Sequence, residues 1–401
     1  MLDAIGGTEL GLGDDLPYRP EAWEAVARAE RPVGDDVAEA FFHLARLEER
    51  GAQRDEHGRF RAAWSCLDPL DPPLERLRRK LKLEPPTWDG ARFAVALTYD
   101  VDSLRRWTRI GLRGAAARLK ADVLHGRARA AAREATGLAL APVHRARGTD
   151  PNWRFVEIVR KVRAHGATGS TFFVLGGHRD PHDGSSPETY EGLRARAVET
   201  LLEAGAEVGV HGSYTSADEP RVLEEEKARI ESFGVNVAGQ RYHYLRVDPH
   251  TNLGQLAELG FRYDTSLGFP DAPGFRAGLA RPFRPWDVGR DRPFELLELP
   301  LAVMDVTLAE ARYLALTPRA AWSRLERLLD WGAENGAGFA VLWHPDRFDP
   351  PTSGGWDRLF YRVVDAVRER GGRCMSAQDM AAIAASTIPS PLPPKGKEPR
   401  G

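Results

Sequence analysis

A chain of 401 residues with ordinary apolar and charged fractions can carry one large α/β domain with additions, or two domains. Its net charge of −2 excludes the global basic signature of a nucleic-acid binder. Its two cysteines, Cys66 and Cys374, lie far apart without a CxxC partner and exclude a disulfide framework or a thiolate zinc site. No apolar run approaches transmembrane length, and the first residues lack the basic segment and apolar core of a secretory signal, so a soluble, cytoplasmic protein is expected.

Residues 1–90 read as a mostly helical extension. Glu21 to Arg31 and Asp36 to Arg50 carry apolar residues at helical spacing, with Val37, Phe41, Leu44 and Leu47 in one stripe. Arg54 to Arg59 reads as a polar turn that leaves His57 at the surface, and a short basic helix within Pro69 to Lys82 is stopped by Pro85-Pro86. The next stretch, Phe93-Ala-Val-Ala-Leu-Thr-Tyr-Asp-Val-Asp102, is an apolar strand ending in two carboxylates. In a strand, Asp100 and Asp102 share a face. Two carboxylates there repel and are costly to desolvate, so an Arg or a divalent metal is expected beside them, unless they simply cap the next segment.

Residues 104–149 form an insertion in which eleven Lys and Arg face only Asp122 and Glu134. It is rich in Ala and Leu and so prone to helix. Two readings stay open: a basic amphipathic element that makes peripheral contact with an anionic membrane, or a solvated helical hairpin beside the active-site mouth. From Asp150 onward, strands alternate with helices. Strands are expected at Gly169–Val174, Gly205–Val210, Val235–Gln240, Phe261–Asp264, Leu296–Leu301, Gly338–Trp343 and Arg373–Met375, and a long helix at Pro318–Asn335. About seven such units predict an α/β fold built as a closed or nearly closed parallel barrel, with the chemistry at the carboxyl ends of its strands. Residues 91–385 are assigned to this barrel. The Pro-, Lys- and Gly-rich residues 386–401 read as a disordered tail.

Those strand ends carry Asp100, Asp102, His211, the cluster Arg241-Tyr-His-Tyr-Leu-Arg246, and His344. One histidine at a strand end is usually structural. Three on one face with paired carboxylates favour a functional site, and mixed His and Asp donors suit a divalent metal.

Thr98-Tyr-Asp-Val-Asp102, Gly169-Ser-Thr-Phe-Phe-Val174, Glu207-Val-Gly-Val-His211 and Leu342-Trp-His344, in this order, resemble four motifs of the polysaccharide deacetylase family, the NodB-homology or carbohydrate esterase 4 group. The likeness runs from about Arg92 to about Met380. It implies a distorted (β/α)7 barrel, here with an N-terminal helical extension and a helical insertion after the first strand. It also implies metal-dependent removal of acetyl groups, N-acetyl above all, from a polysaccharide, oligosaccharide or lipid-linked sugar. It further implies that Asp100 is the general base, Asp102 and His211 are metal ligands, His344 is the general acid, and Arg241 orients the base. The implied metal is Zn2+, with Co2+, Mn2+ or Ni2+ as alternatives.

One departure matters. The family's histidine motif has a second His four residues on, and His211-Gly-Ser-Tyr-Thr215 has Thr there. His243 is read as the replacement ligand, because i, i+2 spacing turns it the same way as Arg241. A substrate-binding or structural role for it stays open. Tyr214, Tyr244 and Arg246 are expected to line a sugar subsite, and Asp264 and Arg276 to reach substrate from a loop over the mouth. Asp305 reads as a capping residue, and His178 to His182 as a polar loop. The alternative functions are hydrolysis of a non-sugar amide, or a catalytically silent carbohydrate-binding barrel.

Overall fold

A computed structural model describes residues 19–388, save 83, 86, 185 and 186. Most of the tail expected to be disordered therefore lies outside the described residues. The sheet grows from β1 (Ala94–Val101), every residue of which is buried. Such an uninterrupted apolar strand belongs at the centre of a parallel sheet covered on both faces. The strands that follow are β2 (Thr171–Leu175), β3 (Glu207–Gly212), β4 (Gly239–Tyr242), β5 (Tyr263–Asp264), a β6–β7 hairpin (Trp286–Asp287 with Arg292–Pro293), β8 (Leu297–Glu298), β9 (Leu301–Met304), β10 (Gly338–Leu342) and β11 (Arg373–Met375).

In space the order is β8-β5-β4-β3-β2-β1-β10-β9, all parallel, with β11 wedged beside the start of β1. The two ends of this path are nearly continuous in the chain, because only Leu299 and Pro300 separate β8 from β9. One interrupted segment therefore pairs with β5 by its first half and with β10 by its second. That closes a distorted (β/α) barrel. The single strand expected at Leu296–Leu301 is in fact this broken pair. It breaks where Pro300, which has no N–H to give a ladder, only accepts, from Ala340 N–H at 2.8 Å. The strand expected at Val235–Gln240 forms only from Gly239, where β5 and, one residue on, β3 provide partners.

Period two sorts the side chains. Val95, Leu97, Tyr99 and Val101 join the large core under the helices, whereas Ala94 and Ala96 join the core inside the barrel. The same alternation turns Thr98, Asp100 and Asp102 inward, and it acts likewise in β10 on Ala340, Leu342 and then His344. Phe173 fills the lumen beneath the site. It fits only because position 209 is glycine, where a Cβ would meet its ring at 2.7 Å. Among the described residues, no helix is long and apolar enough to cross a membrane.

The N-terminal extension folds as helices Pro20–Ala27, Asp36–Leu44 and Pro73–Lys80. The helix expected to reach Arg50 stops at Leu44, and Arg46 turns into the left-handed region at φ 51°. The turn buries Arg46 and aims it at Glu49 (2.6 Å). Glu49 also takes Arg54 (2.6 Å) and Arg276 (2.7 Å). Arg276 was expected to reach substrate; instead it is fully buried and committed to this carboxylate, so it fastens the extension to the barrel. Removing a carboxylate that compensates buried guanidinium groups is expected to be expensive. Glu49→Gln should lower unfolding free energy by about 3–5 kcal/mol in urea titration. A loss below about 1 kcal/mol, the scale of an exposed ion pair, would show that the cluster does not hold the two parts together.

Candidate metal centre

Three imidazoles and a carboxylate meet at the carboxyl end of the barrel. His211 Nε2 lies 3.3 Å from Asp102 Oδ1, His243 Nε2 lies 3.6 Å from the same oxygen, and His344 Nε2 lies 3.5 Å from Asp102 Oδ2. Each ring is fixed by its other nitrogen. His211 Nδ1 is 2.8 Å from the Arg241 carbonyl oxygen, which can only accept. His243 Nδ1 donates to Asp183 (3.2 Å), and His344 Nδ1 to Asp305 (2.7 Å). All three rings therefore turn Nε2 towards the Asp102 carboxylate, His211 and His243 to Oδ1 and His344 to Oδ2.

Donor atoms of Asp102, His211 and His243 all lie within 4.8 Å of one another. Asp102 Oδ1 and His211 Nε2 are buried without a hydrogen-bond partner. In a neutral His211 with its hydrogen on Nδ1, these are two acceptors facing each other, an arrangement that needs a cation between them. Donors about 2.1 Å from one tetrahedral ion stand roughly 3.4 Å apart, and the observed 3.3 and 3.6 Å match. The residues present thus fit a divalent ion. The third donor in this group, beside Asp102 and His211, is His243 from the next strand end.

The electrostatics agree. Burial alone would lift the Asp102 carboxyl, but His243, His211 and His344 hold it well below the usual range. Burial alone would keep His243 neutral, yet Asp102 and Asp183 lift it to about 9. His344 is lifted against burial to about 10 by Asp305, with Asp102 and Asp100 behind it. The field that draws protons onto these rings is the field that would draw a divalent cation.

Asp100 stands just outside the donor set. Its Oδ1 takes the Arg241 guanidinium at 2.8 Å, and its Oδ2 is 3.7 Å from His211 Nε2. Arg241 is immobile: it also donates to Thr98 Oγ1 (2.9 Å) and the Thr265 carbonyl (2.9 Å), and it stacks 4.7 Å over Phe173.

An aromatic wall rises on one side. Tyr244 packs on His243 (4.8 Å between centroids), Tyr214 stacks on His182 (4.3 Å), and the two tyrosines meet edge-on at 5.5 Å. Tyr244 and Leu245 both have positive φ, 60° and 56°, local strain of the kind that accumulates at working sites. Arg246, expected to meet substrate, instead braces the wall. It stacks 4.0 Å over Tyr214 and bonds Asp218, the His57 carbonyl and the Tyr214 carbonyl. Asp264, given the same expectation, is buried against Gln240 and Ser266.

Sequence reasoning missed three residues here. His57 is buried, not at the surface, and its Nδ1 is 3.1 Å from Tyr214 Oη. Asp305 holds His344 rather than only capping a helix. Had β9 been extended to Met304, Asp305 would have stood at a strand end like Asp100. Asp183, in the loop after β2, also anchors the backbone N–H groups of Tyr214, Arg179 and Asp180.

No protein-family model matches the chain. No curated protein matches it. Among solved structures it is similar to Puue allantoinase, at 16% identity and a TM-score of 0.49, over 76% of this chain and 95% of that one. It is also similar to a GH57 branching enzyme from the archaeon Thermococcus kodakaraensis, at 11% and 0.38, over 72% and 70%. Likenesses this distant decide nothing about chemistry; the barrel and its centre stand on their own geometry.

Two outcomes are expected. Asp183→Ala leaves the ion-facing donor atoms in place but removes the carboxylate that orients His243, so divalent-ion affinity should fall roughly 10–100-fold in competition with a chromogenic chelator. Unchanged affinity would remove His243 from the donor set. Separately, Glu226 lies buried behind the turn after His211, with one backbone donor (Ser213 N–H, 3.0 Å) and Oε1 unpartnered. Burial lifts its pKa from 4.5 to about 7. The folded chain then holds this proton where the unfolded chain has lost it. Stability should therefore fall as pH rises from about 4.5 through 7, by on the order of 3 kcal/mol. Glu226→Gln should flatten that decline in pH-dependent urea midpoints; an unchanged slope would assign it to other groups.

Proposed function

We propose that this chain is a metal-dependent hydrolase of carbon–nitrogen bonds that removes an N-acetyl group from a sugar, either an oligosaccharide or a lipid-linked one. The reading is carried by one observation: a buried carboxylate oxygen and imidazole nitrogen face each other without partners, with a tethered carboxylate on one side and a tethered histidine on the other. Asp102, His211 and His243 would hold the ion, and their nitrogen and oxygen donors suit zinc, with cobalt, manganese or nickel as substitutes. When bound, such an ion would polarise the acetyl carbonyl and lower the pKa of water.

The remaining roles belong to the chain's own side chains. Asp100, held in one orientation by Arg241, takes the proton from the attacking water. His344 delivers a proton from Nε2 to the departing sugar nitrogen. Asp305 keeps Nδ1 occupied, so only Nε2 can deliver. Acid and base thus approach from different sides of Asp102, as addition to a carbonyl and expulsion of an amine require. Tyr244, beside His243, is the aromatic against which a sugar ring would pack, and Tyr214, held between His182 and Arg246, backs it edge-on. Arg246 acts through Tyr214, which it holds in place.

Acetate release from N-acetylated oligosaccharides, with zinc or cobalt supplied, tests the reading. Asp100→Asn and His344→Ala should each lower kcat about 10²–10⁴-fold while metal content stays near that of the unaltered protein. His211→Ala should lose both metal and activity. No acetate from any N-acetylated sugar would sink the sugar reading. A metal-free protein that still bound sugar would instead be a silent carbohydrate-binding barrel.

A further inference from the structure

We infer that the helical hairpin after β1 docks on an anionic lipid bilayer and holds the barrel mouth against it. The insertion folds as helices Arg109–Leu124 and Ala128–Arg147, packed on each other and joined by His125-Gly-Arg127. Four of the nine exposed large hydrophobic side chains among the described residues lie on this one hairpin: Ile110, Val123, Leu124 and Val143. Leu124, at 73% exposure, stands at its turn. Steps of seven put Ile110, Ala117 and Leu124 along a single outward line of the first helix. The outward face of the second is Ala132, Ala135, Ala139, Val143 and Ala146, all exposed. A helix surface this apolar does not suit water.

What covers it is indicated by charge. The insertion carries eleven Lys and Arg against two acids, in a chain whose net charge is −2. Only a few of these cations are used internally: Arg127 pairs with Asp122 (2.7 Å), and Arg118 and Arg106 share Glu134 (3.2 and 3.4 Å). Arg109, Arg113, Lys120, Arg129, Arg145 and Arg147 are exposed and make no ion pair among the described residues. Arg109, Arg113 and Lys120 run beside the apolar line on the same face. Apolar side chains flanked by unpaired cations fit the headgroup boundary of an anionic leaflet: the cations meet phosphate and the aliphatic groups enter the interface. A nucleic acid would use the charges but leave Leu124 and Val123 in water.

The hairpin is also tied to the centre. Its first helix begins seven residues after Asp102, and its second helix packs on Pro350–Ser353, just beyond His344. The close approach occurs at Gly137, where a Cβ would meet Trp107 at 3.1 Å and Thr352 at 3.4 Å. A bilayer under the hairpin therefore lies near the mouth. A lipid-linked sugar as substrate is the corollary, and that corollary alone rests on the hydrolase reading above.

Co-sedimentation of the full chain with vesicles tests the proposal. Binding is expected to vesicles of phosphatidylcholine mixed with phosphatidylglycerol and not to phosphatidylcholine alone, and it should weaken as salt shortens the screening length. Arg113→Glu with Lys120→Glu should weaken it at least about tenfold. Leu124→Asp should do so too, whereas Val156→Asp, an exposed apolar site elsewhere, should not. No binding to the mixed vesicles overturns the proposal. Binding that ignores Leu124→Asp and is displaced equally well by single-stranded RNA also overturns it, and makes the hairpin a polyanion site. Acetate release from soluble sugars without vesicle binding removes the docking surface only; vesicle binding without acetate release removes the hydrolase reading only.

Discussion

Everything at the mouth of this barrel depends on balancing negative charge that the fold has gathered out of water. Asp100, Asp183 and Asp305 are buried, and Asp102 is pressed against three imidazoles. Isolated, such carboxylates would each cost several kcal/mol to desolvate. The chain answers each with a different partner. Arg241 takes Asp100, three backbone N–H groups and His243 take Asp183, and His344 takes Asp305 by ring and main chain. Every one of these bonds is made on the outer side of the site. The inner atoms of Asp102, His211 and His243 are what remains, and together they ask for positive charge. The arrangement is costly unless a cation or protons arrive, which is what distinguishes it from an ordinary buried ion-pair network.

The rest of the fold is organised to keep those outer bonds rigid. Phe173 plugs the lumen and gives Arg241 a ring to lie on. Gly209 leaves room for that ring, so a residue with no side chain indirectly sets the orientation of Arg241 and, through it, of Asp100. The left-handed backbone at Tyr244 and Leu245 directly follows His243 and throws Tyr244 back against the imidazole. The N-terminal extension reaches the same wall through His57, which fixes Tyr214, while Glu49 clamps the extension to Arg276. A segment that looks peripheral in the chain therefore helps shape one side of the site.

Much of this was legible in the chain because strand periodicity is short and strict. Spacing of two put Asp100 with Asp102, and Arg241 with His243, on common faces, and the helix Pro318–Asn335 and the strand Arg373–Met375 lie where the pattern placed them. The same rule singled out His243, whose imidazole lies with Asp102 and His211. What was not legible depends on long-range pairing. Asp305 was obscured because a strand broken at Pro300 has no clear period. Asp183 closes a single 3-10 turn between β2 and the next helix, which carries no periodic signal, and His57 lies 157 residues from the tyrosine that buries it. Arg276 was misjudged because the buried Glu49 that claims it could not be seen in a sequence whose other arginines are mostly exposed.

The placement of the basic hairpin follows from the same barrel logic. An insertion after β1 can only emerge at the carboxyl end of that strand, where Asp102 also stands. Packing its second helix beyond His344 fixes it across the rim rather than letting it swing free. The fold thereby separates two opposite charges by a few residues of chain: a negative well inside the mouth, and a positive, apolar-flanked surface outside it. A substrate whose head must enter the well and whose tail or carrier lies on an anionic surface would satisfy both at once. A small neutral sugar would use only the inner one and leave the outer surface without a role.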